Sequence, residues 1–140
     1  MARADKNTVT RVQPEYYADF LIDFTLNPIT GNLARVTNEE AVKRAIKQII
    51  LTINYERPYD PILGSKVNSL LFEPIDDVTT QLLKTTIEAS IRSREPRANL
   101  QKVDIQPRED ENSYFITIYF SLLNVPQDIF AVSLTLKRVR

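Results

Sequence analysis

Neither cysteine nor histidine occurs in this chain of 140 residues. Their absence removes disulfide staples, thiolate nucleophiles, the usual zinc and haem ligands and the commonest general base. Glycine is nearly as scarce, since only Gly31 and Gly64 are present. That is too few for the Gly-rich loops that bring backbone close to phosphate, so no cofactor is expected. An excess of one charge is also lacking, because eighteen Lys and Arg balance eighteen Asp and Glu. The chain as a whole therefore has no broad attraction for nucleic acid or for a membrane, and neither is expected as a partner. No apolar run approaches the roughly 20 residues that span a bilayer, and the opening MARADKNTVTRV lacks the apolar segment of a secretory signal. Synthesis and use in a cytoplasm are expected.

The length suits one domain with a single core. Residues 1–14 are polar and show no period, so a flexible arm is expected there, with the domain over 15–140. YYADFLIDFTL (16–26) reads as a strand, and NPITG (27–31) carries turn chemistry, which makes an N-terminal hairpin. Thr37 and Glu40 fit a capping box, and Val42, Ala45, Ile46, Ile49, Ile50 and Ile53 then share one face of a helix over 38–54. YERPYDPILG (55–64) must be a fixed loop, and Ser65 can cap a short helix through Phe72. Asp76 or Asp77 caps a longer helix with Ile75, Val78, Leu82, Leu83, Ile87 and Ile91 on its apolar arc. Lys84, Glu88 and Arg92 lie on its opposite face, where they can pair and stay wet.

Three strands are predicted at 100–106, 114–123 and 129–139, joined by the turns PREDEN and NVPQD as an antiparallel meander. Helices in the middle and strands at the end, without strict alternation, make the fold class α+β, with helices packed on a mainly antiparallel sheet.

Three glutamates precede a proline directly or by one residue: Glu56 before Pro58, Glu73 before Pro74, and Glu95 before Pro96. A pair of carboxylates is what a glycoside hydrolase needs, at a suitable separation and with one pKa raised. A carboxylate beside proline at a helix end is far more often a cap or an ion-pair partner. Prolines at 58, 61, 74 and 96 terminate helices, and they also stiffen loops that could present a side chain to a neighbour. Arg97, just past Pro96, can make a two-pronged contact with a carboxylate of its own chain or of another.

In order, YERPYDPILGSKVNSLLFEP, a long helix and Glu95-Pro96-Arg97 before a strand resemble a known family. It is that of the baseplate wedge and sheath-initiator proteins of contractile phage tails, once labelled baseplate lysozyme, with relatives in type VI secretion and contractile bacteriocins. The likeness covers roughly residues 16 to 139 and rests on the combination of Glu56-Arg57-Pro58, Leu71-Phe72-Glu73-Pro74 and Glu95-Pro96-Arg97. One departure is visible, because Tyr55 stands where relatives usually have glycine.

The resemblance implies a structural, non-enzymatic protein of the virion tail baseplate, assembled in the bacterial host cytoplasm. Glu95, Pro96 and Arg97 would contact the helical core bundle of the wedge. The tail sheath protein would add strands at the C-terminal sheet, along Phe130, Val132, Leu134, Thr135 and Leu136. Tail tube or hub proteins would be further neighbours. The long apolar final strand independently suggests an edge that wants pairing. Two other functions compete, a peptidoglycan-cleaving tail enzyme and a generic soluble adaptor. The first is opposed by the lack of histidine, cysteine and a defined carboxylate pair, and the second by the order of the motifs.

Overall fold

The computed structural model describes residues 14–138. The arm expected over 1–14 lies almost wholly outside the described residues, as do Val139 and Arg140. The elements are β1 (Ala18–Phe20), β2 (Arg35–Thr37), α1 (Asn38–Leu51), α2 (Val67–Leu70), α3 (Asp77–Arg94), β3 (Ala98–Arg108), β4 (Ser113–Leu122) and β5 (Val125–Lys137). The strands form two antiparallel sheets, β1-β2 and β3-β4-β5. The α+β class and the C-terminal meander are as the sequence predicts.

β4 is the centre of the large sheet because alternate residues are apolar. Tyr114, Ile116, Ile118, Phe120 and Leu122 are all buried on one face. Val103 of β3 and Val132 and Leu136 of β5 extend that face, and Phe130 and Leu134 pack beside it. α1 and α3 cover it through Val42, Ile46 and Ile50 and through Leu83, Ile87 and Ile91. Each buried aliphatic side chain contributes about 1.5–3 kcal/mol relative to exposure. The shared core therefore fixes helices and sheet as one layer on another.

Several boundaries differ from the sequence reading. The stretch 16–26 is not one strand. Phe24 adopts a left-handed φ of 48° and its N–H bonds to Leu21 O at 3.1 Å, so the chain turns at 21–24. Pairing resumes only at Leu26 and Leu33, and Ile22, Phe24 and Leu26 are exposed. The hairpin exists, but three-residue β1 pairs with β2 across a long excursion.

α1 ends at Leu51, not 54. The Thr52 hydroxyl donates back to Gln48 O at 2.7 Å while its backbone turns extended, and Ile53 then bridges to Ser65. Thr37 occupies the N-cap without a side-chain hydrogen bond, Asn38 after it adopts a left-handed φ of 49°, and the Glu40 side chain is committed to Lys43 at 2.8 Å. The capping box does not form. Asn38 does the local work instead, with Oδ1 accepting from Tyr16 N at 3.0 Å and Nδ2 donating to Pro14 O at 3.2 Å.

α2 is a single turn, Val67–Leu70, with Lys66 at its N-cap rather than Ser65. Ser65 is buried and bridges two elements, donating to Ile50 O at 2.8 Å and accepting from Val67 N at 3.4 Å. On α3 the cap is Asp76, whose Oδ1 accepts from Thr79 N at 2.6 Å. The apolar arc of α3 is narrower than predicted, because Val78 is 76% and Leu82 51% exposed. Among the described residues no ion pair joins Lys84, Glu88 and Arg92. β5 begins at Val125, inside the stretch expected to turn, so only Leu123 and Asn124 separate β4 from β5.

Candidate docking sites

Three surfaces gather the residues singled out in the sequence. The first is the end of α3. Pro96 ends the helix by disfavouring helical geometry at Glu95, and Glu95 N still bonds Ile91 O at 2.8 Å. The Glu95 side chain turns inward and is only 3% exposed. Arg97 reaches back over the proline with a fork, Nε to Oε1 at 2.6 Å and Nη2 to Oε2 at 2.9 Å. Its Nη1 bonds Asp19 Oδ2 of β1 at 3.3 Å, and its guanidinium lies 5.6 Å from the centre of the Tyr17 ring. The hydrogen bond to Glu95 raises the Arg97 pKa further above its ordinary value, and the charges of Glu95 and Asp19 add to the shift.

Glu95 and Arg97 thus tie the N-terminal hairpin to the junction of α3 and β3. Asp19 and Tyr17 are the partners that sequence reasoning missed. Their signal was the spacing of two residues in YYADF, which puts both on one face of a strand.

The second surface is the loop between α1 and α2. Glu56 is exposed and serves its own loop, with Oε2 accepting from Ile53 N at 3.1 Å. Tyr55 N bonds Pro61 O at 2.8 Å, and Arg94 of α3 holds Asp60 at 3.7 Å. Tyr55 adopts a left-handed φ of 70°, a conformation that favours glycine, while its side chain projects into solvent. Gly64, at φ 123°, lets the loop lie against the end of α1, where a Cβ would stand 2.6 Å from Thr52 O. Arg57 and Pro58 are exposed on this loop. Phe72, Glu73 and Pro74 are also exposed, after α2 and beside the start of α3. The glutamates of the three motifs therefore have different environments, one buried in a fork, one stabilising a loop and one in solvent. Among the described residues no cluster of three acidic side chains is placed to hold a metal ion.

The third surface is the edge of the large sheet. Among the described residues β5 pairs only with β4. Arg138 N donates to Asn112 O at 2.8 Å, one step beyond the Ser113 and Lys137 pair. Direction alternates along an antiparallel strand, and the β4-β5 register is unbroken from Ser113 to Ser121. The N–H groups of Leu136, Leu134 and Val132 therefore face β4, and those of Thr135, Ser133 and Ala131 face the open edge. Phe130, Val132, Leu134 and Leu136 turn their side chains toward the helices, and the Thr135 side chain is exposed.

The family model described as baseplate wedge protein gp25 matches residues 36–127, more than half of the chain. The baseplate wedge protein gp25 of Enterobacteria phage T4 is 30% identical over 105 residues, which is 75% of this chain and 80% of that protein. The fold is similar to a candidate tail lysozyme from Geobacter sulfurreducens, with a TM-score of 0.68, 24% identity, and coverage of 73% of this chain and 92% of that one. It is also similar to a chain of the anti-feeding prophage baseplate, with a TM-score of 0.61, 23% identity, and coverage of 89% and 87%. A chain of the postcontracted pyocin R2 baseplate follows at 0.52, with 16% identity over 79% of this chain and 95% of that one. At these identities the structural likenesses speak for the fold, and the sequence match carries the family. The chain belongs to the baseplate wedge protein gp25 family.

Proposed function

We propose that this protein joins the wedge core of a contractile tail to its first sheath ring and initiates sheath assembly, as a structural component of the virion tail baseplate. The observation that carries this reading is the β5 edge, where the donors of Ala131, Ser133 and Thr135 point away from β4 on a strand whose other face is anchored in the core. Such an edge is a template for an incoming strand, with main-chain bonds supplying affinity. Membership of a wedge family supports the other half of the role.

The Glu95-Pro96-Arg97 segment serves the wedge side through its outward parts, Pro96 and the outer edge of Arg97. The Glu95 carboxylate holds that presentation in place from below. The exposed Arg57, Pro58, Phe72, Glu73 and Pro74 extend the same role around the loops.

The test uses the parent particle with its own copy of this protein deleted, complemented by variants. Thr135→Pro removes one outward donor at an edge position where proline is tolerated. The expected result is folded protein that enters baseplates which then bear few sheaths. Normal sheath initiation by that variant would overturn the strand-addition mechanism. Pro96→Ala, at an exposed site, is expected to reduce entry into the wedge by more than its modest cost in stability, roughly 0.4–1 kcal/mol, accounts for.

A further inference from the structure

Alongside the β5 edge runs a groove lined by Glu40, Lys43, Arg44 and Lys47 of α1 and by Ala131–Ser133 of β5. It holds three cations and one carboxylate, and that carboxylate is taken. Glu40 accepts from Lys43 at 2.8 Å, and its pKa is lowered first by that bond and further by the charges of Lys43, Arg44 and Lys47. Arg44 and Lys47 have no ion-pair partner among the described residues. Lys43 also lies 5.9 Å from the centre of the Phe130 ring.

An added strand would lie about 4.8 Å beyond β5, with alternate side chains turned toward the helix layer. On this flank the helix layer offers ammonium and guanidinium groups rather than an apolar floor. Lys43 and Lys47 are spaced about 6 Å along α1. That is close to the roughly 6.7 Å between alternate residues of a strand. We infer that the strand received at the β5 edge is acidic, carrying carboxylates at alternate positions that face Lys43, Arg44 and Lys47. The inference rests on the strand-addition reading above and supplies the chemistry of its partner. Backbone pairing alone accepts any sequence, so the charge would select the sheath arm over other extended chains.

The test titrates full-length protein with the purified sheath subunit of the same particle, for wild type, Thr135→Pro and the double variant Arg44→Glu/Lys47→Glu. All proteins are checked for an unchanged unfolding midpoint. Charge reversal is expected to weaken capture by at least about tenfold, and wild-type capture should weaken as salt rises. Replacing the facing carboxylates of the sheath arm by lysine should restore binding to the reversed variant, which a merely structural effect of the substitutions would not do. If Thr135→Pro abolishes capture but charge reversal leaves it within about twofold, strand addition stands and the acidic partner is overturned. Capture that is indifferent to Thr135→Pro overturns both.

Discussion

Arg97 grips Glu95 across Pro96 with two parallel hydrogen bonds, Nε to Oε1 at 2.6 Å and Nη2 to Oε2 at 2.9 Å. Because Glu95 is buried, removing the arginine leaves a carboxylate with neither water nor a partner. Arg97→Ala is therefore expected to cost on the order of 3 kcal/mol, and Arg97→Lys to recover only part, since an ammonium cannot form the fork. Denaturant unfolding of both variants measures this. A cost below about 0.5 kcal/mol would place the pair among the surface ion pairs that contribute little.

Tyr55 and Gly64 make opposite predictions within one loop. Tyr55→Gly relieves a left-handed side-chain-bearing residue and is expected to stabilise by roughly 0.5–1 kcal/mol. Gly64→Ala drives a methyl group into Thr52 O and is expected to destabilise by roughly 2–3 kcal/mol. Thermal unfolding of the two variants should move in opposite directions.

Asp76 caps α3 through Thr79 N, and the same bond lowers its pKa below the ordinary 3.8. A depressed folded-state pKa contributes stability that is complete above the unfolded value and is lost as pH falls through the folded one. Asp76→Asn keeps the cap at every pH. The unfolding midpoint of wild type should thus fall relative to Asp76→Asn as pH drops below about 3.8. Parallel curves through that window would show that the cap is not coupled to folding.

The Tyr114 hydroxyl is buried in β4 beside Thr80, makes no well-formed hydrogen bond among the described residues, and is pushed up in pKa by burial. Tyr114→Phe removes an unsatisfied polar atom while keeping the ring, so a gain of about 1 kcal/mol is expected. A loss of that size would reveal a hydrogen bond made to Thr80 or through water.

Incubation with purified peptidoglycan is expected to give no turnover above buffer. Activity that disappears in Glu73→Gln or Glu95→Gln would overturn the structural role.

The sheet was legible because its signal is local. Period-two alternation from Tyr114 to Leu122 requires one buried face, and the structure buries those residues. The Val78 and Leu82 side of α3 was misread because helical periodicity finds an apolar arc without knowing how wide the covering layer is. The Glu95, Arg97 and Asp19 cluster was half visible. Proline marked the element boundary, but the partner 78 residues away in sequence depends on how the hairpin returns across the helix end. The basic groove combines one strand and one helix that touch only in the folded chain.

Among the described residues each strand of the large sheet pairs only with its neighbour in sequence, across connections of a few residues. Ordering such a sheet closes short loops, so its entropy barrier is small and its folding fast for a β structure. A strand supplied by another chain must instead surrender translational freedom before its first bond forms. The two kinds of pairing therefore occur in a fixed sequence in time. The meander completes itself first, and the rate of growth beyond it depends on the concentration of the incoming chain.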